Sequence, residues 1–241
     1  MGKKLEPVQY YQTDPKWADN DYSAKGEKTT IKAEGCGIAC SAMVIASLAD
    51  KKVTPETTAK WSLDHGYKAP HQGTYYAYFK PQMAAYGIKC EMMNSVNCYG
   101  KPNDPVHQKV WKALDSGNWI ISVAGKGDFT SSGHYILCWG LDQNNVLIKD
   151  PYNKKAICSK MPWEQFIKQQ KYYWEVQLPE KYKEDLEVVE RIEIEVDGEN
   201  FSVDAINKDG YTYIKTRDIG AACGFEVSNK GKMPILKKKD R

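Results

Sequence analysis

Glu34-Gly35-Cys36-Gly37-Ile38-Ala39-Cys40-Ser41-Ala42-Met43-Val44 sets a cysteine between two glycines, at the head of an apolar run that continues through Ile45, Ala46 and Leu48. The run has the length and composition of a helix buried on most of its surface, with Cys36 at its N-terminus. A helix N-terminus presents unpaired N–H groups and the positive end of the dipole, and both favour an anion. The anion a cysteine supplies is its thiolate, which is its nucleophilic form. The flanking glycines let backbone and substrate come close, as a nucleophile and its oxyanion hole require. Taken alone, Cys36 reads equally well as a small core residue, so the rest of the chain has to separate the two readings.

Upstream, residues 1–30 are polar, aromatic and turn-rich, with Tyr10, Tyr11 and Trp17 as anchors to the body. Gln12 stands out because a glutamine amide can donate to a developing oxyanion beside the nucleophile's own N–H. Downstream, Thr54-Pro55-Glu56 is a helix start, with Thr as cap and Pro at the first position, and Gly66 lies just past the expected stop at Asp64. Further helices are expected from Tyr75 to Tyr86, ended by Gly87, and from His107 to Ser116, ended by Gly117; Ile88–Met92 reads as a strand and Asn94–Pro105 as a loop.

After residue 118 the periodicity changes from helical to alternating. Trp119–Val123, Gly133–Leu141 and Val146–Asp150 read as strands, with a Gly/Ser/Asp loop over 125–132 and a turn at Asp142–Asn145. Pro151 ends the third, Met161–Gln169 looks helical, and Tyr172–Val176 is expected to close the sheet. Helices first and an antiparallel sheet second is an α+β fold. His134 begins an apolar strand straight after a polar loop, so it belongs at the rim of the sheet. Asp150 ends the neighbouring strand, near-opposite His134 if the turn lies at 143–145, which places a carboxylate beside an imidazole. Cys36, His134 and Asp150 thus offer a thiol, a base and a group to orient the base, as nucleophilic catalysis needs. Each also has a plain structural reading, a strand-end histidine and an Asp-Pro turn among them. His65, His71 and His107 read as surface or capping residues.

Residues 179–190 are charged and poor in apolar side chains, and we assign them as a linker between a domain at 1–178 and a small β-rich module at 191–241. In that module Ile192–Val196 and Phe201–Ile206 alternate, turns fall at Asp197-Gly198 and Asn207–Gly210, Tyr211–Lys215 and Phe225–Val227 are strands, and Arg217–Cys223 is a helix. A unit this small is marginal alone and is expected to lean on the first domain or on a second copy of itself.

The 241 residues and 41% hydrophobic content suffice for one good core and a smaller one. A net charge of +3 with no basic run except Lys237-Lys238-Lys239 gives no footprint for nucleic acid. No stretch is long and apolar enough to span a membrane, and the first residues lack a signal-peptide core, so the expectation is a protein made in the cytoplasm. Seven cysteines, an odd number without a C-x-x-C, argue for free thiols rather than a disulfide framework or a zinc ribbon. Cys40, Cys90, Cys98, Cys138, Cys158 and Cys223 read as structural, with a Cys90–Cys98 bridge as an open alternative and a modulating role for Cys40 left open. No cofactor or metal is expected.

Tyr11-Gln12-Thr13-Asp14-Pro15-Lys16-Trp17, Thr30-Ile31, Gly35-Cys36-Gly37 with Ala42-Met43-Val44, Gly133-His134-Tyr135 and Lys149-Asp150-Pro151 together resemble the papain-like cysteine peptidases related to the bacteriocin-processing family, the stand-alone C39-like type. The likeness spans about residues 8–177. It implies a papain-like fold with Gln12 as oxyanion donor, Cys36 as nucleophile, His134 as base and Asp150 as its orienting partner. Ile214–Ile219 and Gly224–Val227 are similar to the stalk-like repeat found at the N-terminus of copper amine oxidases, and the module has no histidine for a copper site. The reading is a cysteine endopeptidase acting on peptides of the bacterial cell wall in the manner of a phage endolysin, its module anchoring it to a cell-surface ligand. Leader-peptide processing at Gly-Gly sites comes second. A catalytically silent papain-fold binding protein and an amidase or acyltransferase on the same triad are the rivals from other classes.

Overall fold

The computed structural model describes residues 5–179, 182, 189–196, 198–208, 211–214, 216–230 and 233–238. Lys4–Lys183 form one compact unit, and a second contains the described residues from 189 onward. The linker assigned to 179–190 lies largely outside the described residues.

The first unit begins with turns and a short helix α1 (Ile31–Glu34), then α2 (Cys36–Leu48), α3 (Pro55–Asp64), a 3-10 turn at Tyr76–Tyr78 running into α4 (Phe79–Ala84), and α5 (Val106–Asp115). In α2 every residue from Gly37 to Ala46 is buried, as its uniformly apolar sequence demands. Thr54 caps α3 by accepting from the Thr57 N–H, with Pro55 in the first turn. Gly66, Gly87 and Gly117 take left-handed φ values of 72°, 69° and 81° just past the helices they end.

The strands β1 (Cys90–Met92), β2 (Trp119–Ala124), β3 (His134–Asp142), β4 (Asn145–Lys149), β5 (Lys160–Pro162) and β6 (Gln170–Val176) form one antiparallel sheet in the order β1-β6-β2-β3-β4-β5. Both faces are covered, so both sets of alternating side chains are apolar. Trp119, Ile121, Val123, Tyr135, Leu137 and Trp174 pack with Ile38, Met43 and Phe79 on the α2–α4 side. Ile120, Ile136, Cys138 and Tyr173 pack with Val110 and Leu114 of α5 and with Phe166 of α6 (Trp163–Ile167).

Three expectations are corrected. Met161 lies in the edge strand β5, not in a helix, because it pairs with Val146 and only the five residues from Trp163 are helical. β6 does not close the sheet at its rim: it enters between β1 and β2. The helix expected from Tyr75 opens as a 3-10 turn and is α-helical only over Phe79–Ala84. All seven cysteines are free, Cys90 and Cys98 included, and Cys223 is exposed.

In the second unit β7 (Val189–Val196), β8 (Glu199–Lys208) and β9 (Tyr211–Ile214) form an antiparallel sheet, followed by α7 (Thr216–Ala222) and a hairpin of β10 (Phe225–Lys230) and β11 (Met233–Lys238). Val203 and Ala205 are its buried apolar residues among those described. β8 runs to Lys208, so it absorbs the first half of the turn expected at Asn207–Gly210; the second half lies outside the described residues. The strand β11 was not anticipated by the sequence. Among the described residues no helix is long and apolar enough to cross a membrane.

Gly35, at the joint between α1 and α2, has a specific steric reason. A Cβ there would sit 2.4 Å from the Ile31 carbonyl oxygen and 2.7 Å from its Cγ2. Gly35→Ala should therefore cost about 1–3 kcal/mol as an overpacked site. A urea midpoint unchanged from wild type would refute this.

Candidate active site

Cys36 is the first residue of α2 and is half-buried. The helix has no side-chain cap, because its N-cap is Gly35, so no side chain competes for the first N–H groups. Gly37 has a packing reason: a Cβ there would meet the Thr74 Oγ1 at 2.8 Å and the Tyr135 ring at 3.2 Å. The glycine pair thus serves the close joint and the close packing of the helix head against β3 and residue 74, in addition to any approach of substrate.

His134, the first residue of β3, is 7% exposed, and its Nε2 lies 2.7 Å from Asp150 Oδ1. The imidazole also interacts electrostatically with the Cys36 side chain. With Nε2 taken by the carboxylate, Nδ1 is the nitrogen left for the sulfur. Burial alone would push the His134 pKa down, but the bond to Asp150, the interaction with Cys36 and the negative charge of both outweigh it and raise the value to about 10. Burial works against ionised Asp150 too, yet the bond and charge of His134 and the donors of Asn153 hold its carboxyl below the ordinary range.

The route by which Asp150 reaches His134 differs from the simple hairpin. The turn is two residues long, Asp142 pairs with Asn145, and Gln143 takes a φ of 54°. A bulge between Cys138 and Gly140 then shifts the register so that Leu137 faces Lys149. Asp150 therefore lies diagonal to His134, beyond the last ladder pair. A tight turn compensates: Oδ1 accepts from the Tyr152 N–H at 2.8 Å and the Asn153 N–H at 2.9 Å, and Oδ2 accepts from Asn153 Nδ2 at 2.9 Å. Asn153 Nδ2 also donates to Phe129 O, in the loop that leads to His134. Sequence reading missed Asn153. An Asp-Pro-x-Asn run, in which a carboxylate can collect the N–H groups two and three residues on, was the available signal.

Gln12 is 3% exposed and sits between the two halves of the site. Its backbone N–H donates to Pro151 O at 2.8 Å, and its Nε2 donates to Lys32 O at 2.8 Å, on the short helix that leads to Cys36. Its Oε1 is buried without a hydrogen-bond partner. The amide nitrogen is thus aimed at α1 carbonyls. The neighbouring Gln9 amide donates to Asp150 O at 3.0 Å, a second tie between the N-terminal segment and the carboxylate.

Cys36 and His134 open onto a cleft of about 490 Å³. One wall carries Glu34, His71, Gly73 and Thr74, and the other Ser132, Gly133 and Lys171. Thr74 is fixed by Tyr22, whose hydroxyl lies 2.9 Å from Thr74 Oγ1 and 2.9 Å from Ser62 Oγ, and by Tyr135, whose hydroxyl donates to Thr74 O at 3.1 Å. Of the other histidines, His71 is at the cleft with a φ of 54°, and His65 stacks on Trp61 at 4.0 Å. His107 is not a surface residue: it is buried, bonded to Tyr173 Oη and Lys101 O, and its pKa is lowered chiefly by that burial. Cys40 is fully buried one turn beyond Cys36, and burial pushes its thiol well above the ordinary range.

The family model described as Peptidase_C39 like family matches residues 9–177. No curated protein matches the chain. Among solved structures, a C39-like peptidase from Bacillus anthracis is similar at 15% identity and a TM-score of 0.42, over 61% of this chain and 90% of that one. A double glycine motif protease from an AMS/PCAT transporter, solved with its leader peptide, is similar at 16% identity and a TM-score of 0.43, over 72% of this chain and 94% of that one.

Because the folded His134 pKa is raised above its unfolded value of 6.5, the stabilisation it brings is complete below that pH and is lost as pH rises through about 10. Asp150→Asn removes the nearest negative charge outside the thiol. The ring-proton NMR titration of His134 should then move to lower pH than in wild type, and an unmoved midpoint would show that Asp150 does not hold the imidazolium.

Proposed function

Since the chain belongs to the Peptidase_C39 like family and is a cysteine peptidase, we propose that it is an endopeptidase in which Cys36 is the nucleophile, His134 the base and Asp150 the group that orients His134. The observation that carries this is the Asp150–His134 hydrogen bond, with Cys36 interacting with the same imidazole from the N-terminus of a buried helix and lining the same cleft. In this mechanism the Cys36 proton resides on His134 Nδ1, and the thiolate attacks a peptide carbonyl to form the C–S bond. The carbonyl oxygen takes the negative charge beside the α2 N-terminus, where the Cys36 N–H serves as donor; for Gln12 to be the second donor, its amide has to turn from the Lys32 and Ile31 carbonyls that its Nε2 meets here. Loss of one such donor costs about 2.7–4 kcal/mol of barrier. His134 then gives its proton to the leaving amine as the C–N bond breaks. Water, deprotonated by the same imidazole, releases the acyl group and restores the thiol.

For the substrate, the reading is a peptide of the bacterial cell wall, as for an endolysin. The body that carries the cleft is mildly basic, with 22 Lys and Arg against 17 Asp and Glu over 1–178, which suits an anionic polymer. In this reading residues 1–178 are the peptidase, 179–190 a linker and 191–241 a stalk-like accessory module that holds a cell-surface ligand. Leader peptides cut after Gly-Gly are the second reading, favoured by Gly37-Ile38-Ala39-Cys40, which resembles the stretch that follows the nucleophile in leader-processing members of the family.

Purified Gram-positive peptidoglycan and a synthetic Gly-Gly leader peptide, each incubated with wild type and Cys36→Ala, separate these. Clearing of the wall with new peptide amino termini in mass spectra, abolished in Cys36→Ala, is the expected result. Cleavage of the leader peptide alone would replace the wall reading with the second. Cleavage retained in Cys36→Ala would sink the assignment of the nucleophile.

A further inference from the structure

Lys68 has no part in the mechanism above, yet its side chain is only 2% exposed. Its Nζ lies 2.5 Å from Glu27 Oε1 and 2.6 Å from Glu34 Oε2, and it donates to Ala69 O at 2.8 Å, with the Tyr22 ring 5.5 Å away. The bond from Lys68 is the largest cause that holds the Glu27 carboxyl down to about 2. A lysine is buried this deeply only when its charge is paired.

The position of these pairs matters more than their number. Glu34 is the last residue of α1, two residues before Cys36, and is one of the residues that line the cleft, with its Oε2 turned into the protein towards Lys68. Lys68 belongs to the segment that continues into His71, Gly73 and Thr74, which form the same wall. The segment packs on the backbone of Glu34 so closely that a Cβ at Gly73 would sit 3.0 Å from Glu34 O. One buried ammonium therefore fastens the wall to the helix that delivers the nucleophile. It also offsets one of two carboxylates, which leaves the cluster at about −1 rather than −2, and one of those carboxylates belongs to Glu34, two residues from Cys36 along the chain and on the same cleft.

We propose that Lys68 is a positioning residue for the reaction at Cys36, clamping the cleft wall to α1 and offsetting the Glu34 charge so that the thiolate can form. This rests on the assignment of Cys36 as nucleophile. Other charged or titratable groups also face the sulfur. His134 and Tyr135 come from β3, and Asp150, from the turn after β4, acts behind His134. Cys40 lies along α2 and Tyr22 comes from the N-terminal segment. His71, Tyr76 and Lys171 line the cleft around it. The test leaves all of these in place.

The experiment measures, on the full chain, the pH at which iodoacetamide alkylates Cys36 at half its maximal rate, followed on the Cys36 peptide by mass spectrometry, together with kcat/KM on the cleaved substrate. Wild type, Glu34→Gln, Lys68→Met and the double variant give cluster charges of about −1, 0, −2 and −1 by simple counting. The midpoint should fall in Glu34→Gln, rise by on the order of one pH unit in Lys68→Met, and return towards wild type in the double variant. A purely structural role for Lys68 changes kcat/KM in step with stability and leaves the alkylation midpoint of the folded protein where it is in wild type. Midpoints that stay together across the series, or a double variant as shifted as Lys68→Met, overturn the proposal. Should Lys68→Met fail to fold, Glu34→Gln alone decides: an unmoved midpoint refutes it and a fall supports it. Cys36→Ala keeps the two levels apart. An inactive Cys36→Ala with an unshifted series rejects only the role of Lys68, whereas an active Cys36→Ala rejects the reading on which it rests.

Discussion

The peptidase unit depends on one constraint: α2 is apolar on every side and has to be enclosed. Residues Gly37 to Ala46 are all buried, so the sheet, α3 and α4 must surround the helix, and its orientation follows from core packing rather than from the chemistry at its head. Cys36, at the N-terminal end, is the residue of α2 where that enclosure opens. The site inherits its rigidity from the core, because displacing the sulfur means moving a helix packed on Leu137 and Tyr135. A thiol placed this way costs little in local order, since the order is already fixed by burial of the helix.

Electrostatics supplies the second layer. Two groups that burial would neutralise, His134 and Asp150, are kept charged by each other and by four donors or acceptors around them. The pair is worth having only while both members are present, since removing one partner leaves a buried charge uncompensated. Lys68, Glu27 and Glu34 repeat the arrangement a short distance away, with one cation between two anions. Each of these buried charge clusters thus has one member in the cleft lining, His134 in the first and Glu34 in the second.

Much of this was legible in the residues. The apolar run after Gly37, the Thr54-Pro55 start, the glycine stops and the alternation of 119–150 each encode a local preference that tertiary packing reinforces, and Cys36, His134 and Asp150 are found together. What was not legible depends on contacts distant in sequence. The bulge at Cys138–Gly140 shifts the register, so the facing of 134 and 150 could not be obtained by counting back from the turn. Asn153 acts through a carbonyl at Phe129, and Gln12 through carbonyls of α1, neither of which leaves a local pattern. Met161 reads as helical because Trp163, Phe166 and Ile167 follow at helical spacing; only pairing with Val146 makes it a strand. Buried Lys68 and His107 look like surface residues until their partners are known.

The place of β6 has a consequence for how the protein comes into being. It enters between β1 and β2, and Trp119 finds its partner only at Val176. Strand β2, which borders β3 and so the base of the site, lacks one neighbour until nearly the whole unit has left the ribosome. Such long-range pairing is slow to form and demands most of the chain before it stabilises anything. A nascent or truncated chain ending before residue 170 has the thiol, imidazole and carboxylate but an incomplete sheet to hold them. Synthesis itself therefore sets the order of events: the sheet that holds Cys36, His134 and Asp150 together is complete only when the last strand arrives.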